Sequence, residues 1–145
     1  MAEKKVKKIE YYYAKGTNKT STSTIRLFSG KGETLINNKS ISSYASSREV
    51  LESILYKPFI LTGTKDSFYF SAKTKGGGYV SQLKATSLAI SRALSKINDD
   101  YKKTLAQDNL LRRDPRMVER KKYYKVKSRK APTLLLMEFM KMLWI

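Results

Sequence analysis

Three consecutive glycines, Gly76-Gly77-Gly78, separate a predicted strand from the longest predicted helix, and Lys75 and Lys84 lie on either side of them. Glycines in such a position bring the backbone N–H groups of a helix N-terminus close to an anion. The segment lacks the Gly-Lys-Ser/Thr ending of a P-loop and the Gly-x-Gly-x-x-Gly pattern of dinucleotide-binding domains. A phosphate of RNA is therefore favoured over a free nucleotide. The alternative is a structural turn that needs positive φ.

The second candidate is a basic arm, residues 112–130, in which ten basic residues stand against Asp114 and Glu119. Tyr123 and Tyr124 lie among them, and tyrosine rings stack on unpaired bases while neighbouring cations hold phosphates. Pro115 gives the start of the arm a restricted backbone. The alternative is a disordered, solubilising tail. The basic residues are Arg112, Arg113, Arg116, Arg120, Lys121, Lys122, Lys125, Lys127, Arg129 and Lys130.

The overall charge points to a polyanionic partner. The 145 residues include 30 Lys and Arg, 12 Asp and Glu and no His, which gives a formal net charge of +18. Nucleic acid is the favoured partner, because each neutralised phosphate releases condensed counterions. An anionic membrane surface and a merely basic soluble protein are the alternatives. The length and an apolar fraction of 41% allow one domain with a modest core.

Composition disfavours catalysis. The chain has no Cys and no His, which excludes thiol nucleophiles, disulfides, imidazole acid–base chemistry and the usual zinc sites. Asp99 and Asp100 are adjacent carboxylates, but neighbouring helical positions do not face each other, and both residues suit a helix start. We therefore predict no catalytic residues, no metal and no cofactor. A small-molecule kinase that uses the glycine loop and a free-standing RNA chaperone are the alternative functions.

Short strands and one helix are predicted for the first half of the chain. The aromatic residues 11–13 favour a strand, and residues 20–28 are either a second strand or the first one continuing after a turn near Gly16. Residues 34–36 form a third, short strand. Ser46 and Glu49 have capping-box spacing and begin a helix.

The helix that begins at Ser46 is expected to be followed by a strand. The helix carries the apolar residues Val50, Leu51, Ile54 and Leu55 and is expected to end before Pro58. The apolar run at residues 59–62 then predicts a buried strand.

The second half of the chain is strongly patterned. Residues 68–75 alternate as a strand with one covered face, and residues 79–97 have the apolar spacing of a helix. Ala85, Ala89 and Ala93 recur every four residues, which allows that helix to pack closely on a sheet. A short helix is predicted for residues 99–107, because Asp99 and Asp100 favour a helix N-terminus.

The glycines and the helix after them carry a family signature. The residues that match it are Gly76, Gly77, Gly78, Ser81, Gln82, Ala85, Ala89, Ser91, Arg92, Ala93 and Leu94. In this segment the chain resembles the small-subunit ribosomal protein nine family in its bacterial form. Residues 13–28, residues 36–40 with Tyr44, residues 61–64 and residues 114–122 are also similar to family segments, so the resemblance covers residues 11 to about 132.

The resemblance implies both a fold and a place of work. It implies an α+β, two-layer sandwich with a mixed sheet and a left-handed βαβ crossover, similar to domain two of ribosomal protein five. It further implies a structural constituent of the small ribosomal subunit, cytoplasmic, bound to ribosomal RNA and to neighbouring proteins in the subunit head. In the family the arm threads into RNA and its tip reaches the peptidyl-site transfer RNA. No membrane and no small-molecule substrate are implied.

The expected organisation and contacts follow. Residues 1–10 are a flexible basic N-terminus, 11–111 a globular α+β domain, 112–132 an extended basic arm and 133–145 an atypical apolar tail. Arg129 and Lys130 are expected to lie near transfer RNA. The residues expected to bind ribosomal RNA are Lys19, Arg26, Lys75, Gly76, Gly77, Gly78, Gln82, Lys84, Arg92, Arg112, Arg113, Arg116, Arg120, Lys121, Lys122, Tyr123, Lys125 and Lys127.

Two segments depart from the family pattern. Residues 16–18 lack the basic residues that commonly follow the early glycine, although Lys19 remains. The family ends in a short polar run closing in Lys-Arg, whereas residues 133–145 are apolar except for charges at Glu138 and Lys141. Thirteen residues are too few to span a bilayer, which takes about twenty. The tail is an altered reading frame, a helix that docks on protein, or a membrane-associating tip.

We expect the arm's charge to matter more than the charge of the N-terminus. Reversing the charge of the three consecutive basic residues 120–122 should weaken assembly into the small subunit more than the same change at Lys4, Lys5 and Lys7. Quantitative mass spectrometry of purified subunits measures the incorporation of each variant. Equal losses would show that the arm contributes only ordinary surface charge.

Overall fold

Five strands form one mixed sheet in the computed structural model, which describes residues 10–44, 49, 51–133 and 142. The strands are β1 (Tyr12–Asn18), β2 (Ser21–Ser29), β3 (Leu35–Ile36), β4 (Lys39–Ser40) and β5 (Phe68–Lys75). Their order across the sheet is β1-β2-β5-β3-β4. All neighbours are antiparallel except β3 and β5, which are parallel and joined by a helical crossover. The α+β class and the mixed sheet are confirmed.

The helical segments lie before and after β5. They are α1 (Ile41–Tyr44), a π-helical turn (Leu51–Leu55), α2 (Lys57–Thr62), α3 (Tyr79–Leu94) and α4 (Asp99–Gln107). Helix α4 has the predicted bounds, and the Asn98 side chain caps it by accepting a hydrogen bond from the Asp100 N–H at 3.0 Å. Helix α3 ends at Leu94, three residues before the predicted end. Among the described residues, no helix combines the length and apolar character that a membrane crossing requires.

The turn between β1 and β2 lies at Lys19 and Thr20, so the alternative of a turn near Gly16 is wrong. Lys19 adopts a φ of 52° there. Gly16 instead lies inside β1, where α3 passes very close. A Cβ at Gly16 would lie 2.7 Å from the backbone nitrogen of Ala89. Close packing, and not a turn, requires this glycine.

The core lies between the sheet and α3. Ile25 and Leu27 of β2, and Phe70 of β5, are fully or almost fully buried, as the alternation of β5 predicted. They meet the apolar face of α3, whose predicted small-residue stripe, Ala85, Ala89 and Ala93, is completely buried. A hydrogen bond of 2.9 Å between the hydroxyls of Ser23 and Thr86 also joins β2 to α3.

The predicted strand at residues 59–62 is wrong, because these residues belong to α2. The helical turn with Leu51, Ile54 and Leu55 ends before Pro58, as predicted. The residue before Pro58 is not extended, however, because Pro58 lies in the first turn of α2, where its missing N–H would have no intrahelical partner. Pro58 and Phe59 are buried, whereas Ile60 is 56% exposed. Helix α2 therefore packs against the core with one face only, unlike a buried strand. The predicted capping residue Ser46 and the apolar Val50 lie outside the described residues.

The chain divides into two compact units, the first ending at Pro115 and the second beginning at Arg116. In the second unit, residues 116–133 contain no helix or strand. The predicted N-terminal segment lies outside the described residues except for Glu10, and the apolar tail does so except for Thr133 and Met142.

The contact at Gly16 generates a stability prediction. Gly16→Ala should lower the free energy of unfolding by about 1–3 kcal/mol, because the added methyl group forces α3 away from β1. Chemical denaturation measures the change. The matched control is Gly78→Ser, since a Cβ at Gly78 meets no atom within 4 Å and serine is a favourable helix N-cap. An unchanged stability of Gly16→Ala would contradict the close packing.

Candidate RNA-binding surface

The glycine turn between β5 and α3 has a conformation that few other residues adopt. Gly76 and Gly77 have φ values of 74° and 63°. A Cβ at Gly76 would also lie 2.6 Å from the carbonyl oxygen of Thr20, and one at Gly77 would collide with the Ser21 hydroxyl. The turn therefore needs glycine both for its backbone and for its close approach to the β1–β2 turn, so the structural requirement considered for these glycines holds.

The N-terminus of α3 opens directly from this turn. Gly78 is the N-cap and has no side chain to accept hydrogen bonds from the first turn of the helix. The first helical hydrogen bond runs from the Gln82 N–H to the Gly78 carbonyl, at 3.0 Å. All three glycines are exposed. The N–H groups that precede Gln82 can therefore meet an anion that approaches the turn.

Gln82 was expected to contact RNA, but its side chain is engaged within the protein. Its amide nitrogen donates to the Gly76 carbonyl at 3.0 Å, and the Ser21 hydroxyl donates to the same carbonyl at 2.9 Å. Its amide oxygen accepts from the hydroxyls of Thr74, at 3.2 Å, and Tyr44. Gln82 thus fixes the shape of the glycine turn.

Basic residues from separate segments converge on this end of the sheet. Lys19 is exposed in the β1–β2 turn, which packs against the glycine turn, and Lys75 immediately precedes the glycines. Arg113 donates to the Lys19 carbonyl at 3.5 Å, which brings the start of the predicted arm to the same place. We call this surface the glycine end; its residues are Lys19, Lys75, Gly76, Gly77, Gly78, Lys84, Arg112 and Arg113.

A cavity of about 210 Å³ extends the glycine end along α3. Lys84, Arg112 and Lys57 line it together with the amide side chains of Asn18 and Asn109, and Asp114 also lies on its wall. No sequence pattern indicates Lys57 as a site residue, because it lies directly before Pro58, in the break where the helix is expected to end. Its ammonium lies 3.8 Å from the Asp108 carboxylate, an exposed pair that contributes little stability.

Arg92 and Arg26 do not belong to the glycine end. Arg92 lies in the last turn of α3, where it donates to the Lys15 carbonyl of β1 at 2.8 Å. Lys96 donates in the same way to the Tyr13 carbonyl at 2.7 Å. Arg26 lies on the face of the sheet opposite α3, with its guanidinium carbon 5.2 Å from the centre of the Tyr11 ring.

The second unit presents the remaining predicted residues at its surface. Residues 120–126 and Pro132 surround an open groove of about 610 Å³. The predicted site residues that are exposed in this unit are Arg116, Arg120, Lys121, Lys122, Tyr123, Lys125, Lys127, Arg129 and Lys130.

An internal ion-pair cluster closes the loop around this groove. Glu119 accepts hydrogen bonds of 2.8 Å from Lys122 and from Arg129. The hydrogen bond from Lys122, together with that from Arg129, holds the pKa of the Glu119 carboxyl below its usual value. The Val126 N–H donates to the Lys130 carbonyl at 2.9 Å. The loop therefore has its own anion, which offsets part of the positive charge.

Within residues 10–44, 49, 51–133 and 142, no three His, Cys, Asp or Glu side chains lie close enough together to hold a metal ion.

Comparison with protein-family models gives a match over most of the chain. The model described as Ribosomal protein S9/S16 matches residues 16–135. The match includes β1 from Gly16 onward, all of the glycine end and the whole basic arm.

The engaged Gln82 and the exposed Lys84 should respond differently to substitution. Gln82→Leu should lower the free energy of unfolding by about 1–3 kcal/mol, because the hydroxyls of Thr74 and Tyr44 lose an acceptor and the Gly76 carbonyl loses one of its two donors. Lys84→Gln should leave stability within about 0.5 kcal/mol of the parent. It should weaken RNA binding and make the slope of log K against log salt shallower by roughly 0.7–0.9.

Denaturation curves and RNA titrations at several salt concentrations measure the two effects. A Gln82→Leu variant with full stability and weakened RNA binding would contradict the positioning role.

Proposed function

Since the chain belongs to the ribosomal protein S9/S16 family, we propose that it binds ribosomal RNA in the head of the small subunit through its glycine end and its basic arm. The family consists of structural ribosomal proteins that bind ribosomal RNA, and its members act in translation as parts of the small-subunit ribonucleoprotein. The proposal adds to this the location in the head and the surfaces that make the contact.

The convergence of charge at the glycine end carries the proposal. Three segments that are distant in sequence, the β1–β2 turn with Lys19, the glycine turn with Lys75 and Lys84 on either side, and the segment with Arg113, bring these cations around one exposed helix N-terminus. A folded RNA presents closely spaced phosphates, and a cluster of this kind neutralises several of them at once. Lys57 and Arg112 extend the same surface along the cavity on α3.

The arm supplies the second contact. We propose that the basic residues of 112–130 hold phosphates and that Tyr123, which is 86% exposed, stacks on an unpaired base. Arg129 and Lys130 would then lie nearest to the peptidyl-site transfer RNA. In this role the groove around residues 120–126 opens and the arm extends into RNA.

Further parts of the proposal follow from family membership. The domain would comprise residues 11–111 and the arm residues 112–132, and the crossover from β3 to β5 would be left-handed. The other partners would be head proteins of the small subunit, in the cytoplasm. We propose no catalytic activity, because the family is one of ribosomal constituents and the chain lacks both His and Cys.

Incorporation into small subunits tests this function. A triple variant, Lys19→Glu, Lys75→Glu and Lys84→Glu, should be strongly depleted from purified small subunits while remaining folded. The reason is that three cations of one surface become anions facing phosphates. Sedimentation of cell extracts followed by quantitative mass spectrometry measures the incorporated fraction.

The matched control reverses three exposed lysines away from the glycine end, Lys31, Lys102 and Lys103, and should incorporate more fully. A parent protein found mostly off ribosomes would contradict the proposal and support an RNA chaperone. A thermal shift with nucleoside triphosphate and magnesium would instead support an enzyme.

A further inference from the structure

Apart from Lys75, the face of the sheet opposite α3 consists of residues that the proposed contacts do not use. Residues paired across β1, β2 and β5 point to the same side of the sheet, in rows about 7 Å apart. We call this side the outer face. Its rows, from one end to the other, are Phe28 and Tyr69; Tyr13, Arg26 and Ser71; Lys15, Thr24 and Lys73; and Thr17, Thr22 and Lys75.

One end of the outer face is aromatic. The rings of Phe28 and Tyr69 stack at 5.0 Å with an interplanar angle of 16°, and Tyr11 lies against Phe28 at 5.8 Å. Tyr13 is 51% exposed in the next row. Arg26 lies beside it in the same row, with its guanidinium over the Tyr11 ring. The exposed rings of Tyr11 and Tyr13 therefore lie beside the guanidinium of Arg26.

The rest of the outer face consists of lysines separated by short side chains. Lys15, Lys73 and Lys75 are exposed, and the residues between them on β2 are the short Thr22 and Thr24. The three strands contain no acidic residue. The helix that covers the sheet, α3, packs on the other face, where Ala14, Ile25 and Ala72 are buried. The outer face thus combines positive charge with open space above small side chains.

We infer that the outer face binds an unpaired segment of RNA. A base stacks on the ring of Tyr13 and the neighbouring guanidinium of Arg26, and the phosphates that follow it lie over Lys15 and Lys73. Stacking between a base and an aromatic ring accepts any base, and neighbouring lysines track the backbone. A protein partner fits less well, because lysines are depleted from the centres of protein interfaces. The inference rests on the proposed function and adds to it a further surface on the sheet.

The test compares single-stranded and duplex RNA. Full-length Tyr13→Ala should bind a 12-nucleotide unstructured RNA roughly tenfold more weakly than the parent, because a stacking contact is lost. Its affinity for a duplex of the same length should be unchanged. Tyr13→Phe keeps the ring and should restore binding. Fluorescence anisotropy measures the affinities, and thermal unfolding confirms that the variants are folded.

The charge of the outer face is tested separately. Lys15→Gln with Lys73→Gln should make the slope of log K against log salt shallower by roughly 1.4 on single-stranded RNA. The control, Lys102→Gln with Lys103→Gln, removes the same charge from α4 and should change that slope less. In assembled small subunits, ultraviolet crosslinking should join the peptide that contains Tyr13 to RNA.

Three outcomes would overturn the inference. They are equal weakening of single-stranded and duplex binding by Tyr13→Ala, a salt slope matching that of the α4 control, and crosslinking of the Tyr13 peptide to a head protein. Each leaves the proposed function intact, because incorporation through the glycine end is measured independently. Conversely, a parent protein that stays off ribosomes would contradict the proposed function first.

Discussion

The contact between α3 and β1 determines where every other part of the candidate site lies. Gly16 leaves no room for a side chain beneath Ala89, so the helix axis approaches the sheet closely along its small-residue stripe. The buried hydrogen bond between Ser23 and Thr86 fixes the position of the helix along the sheet. With position and distance set, the start of α3 lies beside the β1–β2 turn, and the glycine turn that connects β5 to α3 passes close to Thr20 in a left-handed backbone conformation. The exposure of the N–H groups at the start of α3 is therefore linked to core packing.

The sheet separates two kinds of surface. Its inner face supplies the apolar core, and the outer face carries cations on three strands, β1, β2 and β5, that contain no acidic residue. Such charge makes the folded domain repel itself, which RNA relieves by neutralisation. In the second unit, part of the positive charge is neutralised within the protein, because Glu119 forms ion pairs with Lys122 and Arg129. A phosphate that reaches this pair replaces an anion already there, so the gain in binding is smaller than at the uncompensated strands.

Local chemistry explains which features could be read from the sequence. Helix α4 and strand β5 follow from a capped acidic start and a clean alternation, and the glycine–helix signature identified the family. Residues 59–62 were mistaken for a strand because a short apolar run looks alike in either structure. The roles of Gln82 and Gly16 depend on tertiary contacts, of Gln82 with Tyr44 and of Gly16 with Ala89, and no local pattern reports such contacts. Lys57 lines the cavity because it lies at the start of α2, a helix that the sequence pattern did not predict.

The hydrogen bonds that Arg92 of α3 and Lys96, just after α3, donate to β1 also affect the protein before it binds RNA. Strand β1 is an edge of the described sheet, and unpaired edge carbonyls recruit strands from other molecules. Arg92 and Lys96 already donate to the carbonyls of Lys15 and Tyr13, and their charges repel a second copy of this basic chain. A molecule awaiting assembly is thereby guarded against edge-to-edge aggregation, with side chains that also belong to its positive surface.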